Sequence, residues 1–243
     1  MRNLKRALRL TLASVMLLGM MVLGTSAASY PDVTDEHNVE AIEVLQAIGV
    51  MSGSNSGNFN PDSKVTRIEM AIVMANLLDL DVDYFQGQNQ FSDVPEWASG
   101  YVNACAASGI VTGVGGGRFG TGNVTATQAA LMMLKALGYF QYNSDFNGDW
   151  AQATALQASR IGLFKDIKAQ DNTQLDRNQV AQLALNTLES TMVDAEDNTL
   201  NITTGEDAGN LNITGGQVKY IVRTSDDNKI GKSIRTGIAN GGT

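Results

Sequence analysis

The sequence predicts a mainly α fold: three helix–loop–helix repeats whose second helices form a central bundle, followed by a short β-prone C-terminal tail. Three observations carry this. Segments recur at an offset of 60 residues between Gly49 and Gly109, and of 59 between Thr66 and Thr125, a period typical of repeat architectures. Each copy contains a run that is apolar nearly all round, "MAIVMANLL", "AALMMLKAL" or "VAQLALNTL", the mark of a buried helix. After Ser190 the pattern changes to alternating apolar positions, Leu200/Ile202, Leu211/Ile213 and Val218/Tyr220/Val222, among Thr, Asn and Gly, which is strand chemistry.

The N-terminus reads as an export signal, residues 1–28, cut after Ala28. Arg2, Lys5, Arg6 and Arg9 precede the apolar stretch "LTLASVMLLGMMVL" and the small residues "GTSAAS", the order of a secretory leader. The apolar stretch has 14 residues, whereas a membrane span needs about 20. No membrane insertion is expected after cleavage. The chain from residue 29 on carries 13 Lys+Arg against 25 Asp+Glu, a formal charge of −12. That acidity excludes nucleic acid as a main partner. Cys105 is the single cysteine, so no internal disulfide framework exists; it is expected to be a small buried side chain on a helix. His37, the single histidine, is expected to be exposed near a helix start and cannot build a metal site alone.

The first repeat runs over 29–89, the second over 90–144 and a degenerate third over 145–189; the tail is 190–243. "YPDV" (30–33) recurs as "FSDV" (91–94), and "AIGVMSG" (47–53) as "ASGIVTG" (107–113). "GNFNPDSKVTRIEMA" (57–71) recurs as "GRFGTGNVTATQAA" (117–130), and the third copy holds "RIGLFKD" (160–166) and "LDRNQVA" (175–181). First helices are expected over roughly 37–48, 97–108 and 150–161, each closed by a left-handed glycine, Gly49, Gly109 or Gly162. Second helices are expected over roughly 67–79, 126–138 and 177–189. The loop between them spans 17, 16 and 14 residues in the three copies, counted from that glycine to the next helix cap. Asp32 and Asp93 are expected to shape turns and cap the first helices. The tail reads as a small hairpin module or linker.

Each second helix opens on a capping box. Thr66 and Glu69, Thr125 and Gln128, and Asp176 and Gln179 fill its two places, and Val65, Val124 and Leu175 precede them as staple residues. The box accounts for Thr66 and Glu69 but not for Arg67. A cation at the positive end of a helix is opposed by the dipole by up to about 1 kcal/mol. The third copy repeats it as Arg177, while the second has Ala126. No role for Arg67 in the fold follows from sequence. A helix start with free N–H groups favours an anion, and a guanidinium adds a planar two-pronged donor for carboxylate or phosphate.

The order "PDV/SDV", helix, "hGhhxG", "G-x-F-x-P", "TRIE" resembles the S-layer homology (SLH) repeat of bacterial surface proteins, usually present in threes. The resemblance covers residues 30 to about 189 and is closest in the first copy. It implies a pseudo-threefold bundle whose grooves between repeats bind a cell-wall polysaccharide that often carries acidic ketal-pyruvate groups. The arginine of the family's "TRAE" pattern contacts that sugar, which carries over to Arg67 and Arg177. The second copy, with "TATQ", departs from the pattern. Trp97 and Trp150 each lie 12 residues before Gly109 and Gly162. They are candidates for stacking on a sugar face; the competing reading packs them between first and second helices.

The expected function is non-covalent anchoring of an exported protein at the cell wall or cell surface (S-layer). The expected partner is an anionic secondary cell wall polysaccharide or peptidoglycan-linked polymer, with ligand-binding residues Arg67, Arg177, Trp97 and Trp150. The alternative is a self-assembly or protein-interaction module without a sugar site. No catalytic arrangement, cofactor or metal site is read. "DLDVDYF" (79–85) lacks the glycine and glutamate of a calcium loop and reads as a turn. "GVGGGRFGTG" (113–122) lacks the Gly-Lys-Ser/Thr ending of a phosphate loop. About 54 residues follow Glu189, too few for a tethered catalytic domain.

Overall fold

A computed structural model describes residues 30–88, 90–141, 145–146, 148–196, 201–204, 211–214, 219–224 and 228–230. The export signal expected at 1–28 lies outside the described residues. Among them are seven helices: α1 (Val39–Ala47), α2 (Arg67–Leu77), α3 (Val82–Phe85), α4 (Glu96–Ala107), α5 (Ala126–Ala136), α6 (Trp150–Arg160) and α7 (Arg177–Glu189). The chain is mainly α, with short antiparallel strands near the C-terminus. α3 forms where a plain turn was expected. Its four residues lie against α4, and a Cβ at Gly100 would strike the Val82 carbonyl oxygen.

The second helices α2, α5 and α7 form the core. Met70, Met74 and Leu77 of α2, Met133 and Leu134 of α5, and Leu183 of α7 are fully buried. Burial of such side chains contributes about 1.5–3 kcal/mol each. Each first helix packs against the second helix of the preceding unit: α4 on α2, α6 on α5, and α1 on α7. The three units therefore interlock in a closed ring. Cys105 lies buried on α4, its thiol donating to the Ala71 carbonyl of α2 at 3.3 Å.

Each first helix ends in the same way. Gly49, Gly109 and Gly162 hold φ of 77°, 71° and 73°. The residue after each glycine donates back into the last turn: Val50 to Leu45, Ile110 to Cys105 and Leu163 to Ala158. This is a Schellman closure, for which glycine carries no Cβ penalty.

At the second-helix starts the staple residues meet. The Val65 N–H donates to the Leu175 carbonyl (3.0 Å), Leu175 to Val124 (3.1 Å), and Val124 to Val65 (2.9 Å). The three bonds form a closed cycle at the centre of one face of the bundle. All three residues are buried, so these bonds satisfy backbone groups that water cannot reach.

In the tail, β1 (Val193–Glu196) pairs antiparallel with β4 (Lys219–Val222), and β2 (Asn201–Thr204) with β3 (Leu211–Thr214). Both pairings share one register, and four residues separate the strands on each side. The β1–β4 pair docks on the C-terminal end of α5: Val193 N–H donates to the Leu137 carbonyl at 2.8 Å, and Phe140 N–H to the Tyr220 hydroxyl at 3.0 Å.

Candidate functional site

The site candidates sit where one unit meets the next. All three capping boxes are formed. Thr66 Oγ1 accepts from Glu69 N–H and Glu69 accepts from Thr66 N–H; Thr125 with Gln128 and Asp176 with Gln179 do the same. The first N–H of each helix bonds the loop of the next unit: Arg67 to the Gly122 carbonyl (2.9 Å), Ala126 to Thr173 (2.8 Å) and Arg177 to Ser63 (3.0 Å). Sequence reasoning expected these groups to be free for an anion. They are spent on the ring instead, because each loop carbonyl crosses the seam to reach them.

The two arginines also cross the seams, so the expectation that Arg67 has no part in the fold is corrected. Its Nη2 donates to the Thr112 carbonyl at 3.1 Å, and its guanidinium carbon lies 4.8 Å from the centre of the Phe119 ring. Arg177 makes the matching contacts with the first unit. Its Nε donates to the Phe59 carbonyl and its Nη2 to Ser52, both at 2.7 Å, with the guanidinium 4.5 Å over the Phe59 ring. Contact with a ring face offsets the unfavourable dipole by about 0.5–1 kcal/mol at such partly exposed sites. Burial pulls both guanidiniums below their ordinary value; Asp93 opposes this at Arg67, and Glu69, Tyr30 and Asp32 at Arg177. Both side chains stay charged.

The aromatic partners are held by carboxylates. Asp32 accepts from the N–H of Phe59 (2.9 Å) and Asn60 (2.6 Å), and Asp93 from Phe119 (2.7 Å) and Gly120 (2.9 Å). These aspartates clamp the loops rather than cap the first helices. At Asp32, burial would raise the carboxyl, but the bonds from Phe59 and Asn60 outweigh it and hold it below its ordinary value. Asp93 is held down chiefly by the Phe119 N–H, against burial. These two seams thus stack carboxylate, aromatic loop and guanidinium from two units.

This triad explains the missing arginine. Asn178 N–H bonds Pro61, and Thr127 N–H bonds Asp171. Matching those two acceptors places Ala169 where the first unit has Phe59. The third loop offers no ring at that position, and Ala126, which faces that loop, offers no guanidinium. The two absences fall on the same seam. Sequence reasoning noted each repeat separately and missed that an arginine serves the following unit's loop.

Trp97 and Trp150 open α4 and α6 and are 63% and 42% exposed. They are surface rings, not packing between first and second helices. His37 is half-buried, its side chain only 15% exposed, because Nδ1 turns back to accept from the Thr34 N–H at 3.0 Å. Among the described residues, no group of three or more His, Cys, Asp or Glu is placed to hold a metal ion. No helix among them is long and apolar enough to cross a membrane.

The fold and these seams define a ring of surface-type helix–loop–helix units with cationic junctions. Residues 29–71 and 90–125 match the S-layer homology domain. The matched segments fall in the first two units; the third unit lies outside them. The chain is similar to a cell surface protein of Thermoanaerobacter kivui, 27% identical over 201 residues, covering 79% of this chain and 26% of that protein. It is similar to the middle cell wall protein of Brevibacillus brevis, 27% identical over 178 residues, covering 70% of this chain and 17% of that one. An exoglucanase of Acetivibrio thermocellus is 23% identical over 152 residues, 57% of this chain and 14% of the enzyme. The chain therefore spans about a quarter or less of the length of these relatives. The matches point to the cell surface or wall as its location.

Proposed function

We propose that this chain is a non-catalytic anchoring module that holds an exported protein on the cell wall. Its partner is an anionic secondary cell wall polysaccharide, of which a pyruvylated polymer is the best candidate. The third unit is a divergent copy of the same repeat. The observation that carries the reading is the half-buried guanidinium at two seams. Arg67 donates one hydrogen bond and Arg177 two to protein carbonyls, out of the five N–H donors a guanidinium has. The remaining donors suit a carboxylate, and the exposed rings of Trp97 and Trp150 suit a sugar face.

Sedimentation with isolated wall sacculi tests this. The unaltered protein is expected in the pellet, and in the supernatant once the wall polysaccharide has been extracted from the sacculi. Arg67→Gln/Arg177→Gln is expected to shift to the supernatant while keeping its helical circular dichroism. Equal pelleting of both proteins would remove the arginines from the binding site.

A second reading, a self-assembly or protein-interaction module, is favoured by one observation. Both arginines already serve carbonyls and rings within the ring of units. Oligomers forming without any wall polymer would support it.

A further inference from the structure

The two arginine seams are not equivalent. Arg177 donates through both Nε and Nη2, whereas Arg67 has a single hydrogen bond and its buried Nε has no partner. At the α7 start the second N–H, that of Asn178, also bonds the neighbouring loop at 2.9 Å. Among the described residues no acceptor takes the corresponding N–H of Ile68 on α2. The seam between the first and second units is the less satisfied one.

The loop facing Arg67 also differs. It is the glycine run Gly113–Gly122, with Arg118 beside the ring on which Arg67 stacks. Arg118 is exposed, and its N–H and carbonyl tie the loop to Gly115 and Val114 at 3.2 and 2.8 Å. Its side chain is not needed for those bonds. Asp93 lies within electrostatic range of both Arg67 and Arg118. Gly115, Gly116 and Gly117 hold φ of 96°, 60° and 68°, and a side chain on any of them would enter open space. The backbone there leaves a bare shelf a polymer can approach closely. In the first unit, the residue before the ring is Asn58, so the Arg177 seam has no second cation at that position.

We propose that Arg118 is a second cationic contact for an acidic glycan, and that it makes the Arg67 seam the chain's principal site, with Arg177 serving chiefly to close the ring. This rests on the anchoring reading above. A paired guanidinium favours polymers with closely spaced carboxylates and raises the salt sensitivity of capture.

The test uses the full chain and polysaccharide purified from the host wall, before and after carbodiimide amidation of its carboxylates. Arg118→Asn, which installs the first unit's residue, is expected to weaken binding about three- to tenfold at low salt and flatten its salt dependence. The loss is expected to vanish on amidated polymer. Asn58→Arg is expected to strengthen binding. Binding by the unaltered chain with no change in Arg118→Asn, in affinity or salt dependence, overturns this inference and leaves the anchoring reading standing. No binding by the unaltered chain overturns both.

Discussion

Arg177 Nε donates to the carbonyl of Phe59 at 2.7 Å while its guanidinium covers the Phe59 ring at 4.5 Å. One side chain of the third unit therefore grips the backbone and the side chain of the first. Hydrogen bonds to charged groups contribute about 1.5–3 kcal/mol, discounted here for partial exposure. Arg177→Ala is expected to lower the unfolding free energy by about 2 kcal/mol. Arg67→Ala, with one such bond, is expected to cost about 1 kcal/mol. Urea unfolding of the two variants side by side checks the order; a larger loss at Arg67 would contradict it.

The loop clamps give a pH signature. Asp32 and Asp93 are held below their ordinary value in the fold. A depressed carboxylate contributes stability above its unfolded value, about 3.9, and loses it as pH falls through the folded value. Asp32→Asn and Asp93→Asn are expected to have lower urea midpoints than the unaltered protein at pH 7. The gap is expected to narrow steadily below about pH 4. A gap that stays constant down to pH 2 would mean the carboxylate charge is not what holds the loops.

Docking of the β1–β4 pair depends on one close approach. Gly138 has φ of 102°, and a Cβ there would overlap the Val193 carbonyl oxygen. Gly138→Ala is expected to destabilise by about 1–3 kcal/mol from backbone strain and to release the β1–β4 pair. Tyr220→Phe removes the acceptor of the Phe140 N–H and is expected to cost about 1–2 kcal/mol. Hydrogen exchange at β1 and β4 reads both effects. Unchanged protection in Gly138→Ala would mean that the β1–β4 pair is held elsewhere.

Cys105 is chemically silent in the fold. Burial pushes its thiol up to about 12, and the thiolate is the reactive form. No labelling by iodoacetamide is expected at pH 8 in the native protein, with complete labelling in urea. Rapid native labelling would show that α4 lifts from α2.

Much of this was legible in the sequence, for local reasons. Capping boxes, Schellman glycines and the all-round apolar helices depend on residues within five positions of one another, so spacing alone specifies Thr66 with Glu69, or Gly49 with Leu45. The seams were not legible. Arg177 meets Phe59 across 118 residues, and no periodicity says which unit's loop a helix start will face. The aspartates were expected to shape turns and cap helices; the capping half fails for the same reason, since Asp32 looks forward 27 residues to Phe59, not to the helix beside it. The exposure of Trp97 and Trp150 was equally hidden, since a ring at a helix start suits core and surface alike.

The cycle through Val65, Leu175 and Val124 has a thermodynamic consequence. An open array of repeats can shed a terminal member and keep the rest folded, because each contacts only its neighbours. Here every member has two neighbours, and deleting any one strips both survivors of a partner at once. The module has no end from which to fray. It is expected to melt in one cooperative step, with all three units folded together or none.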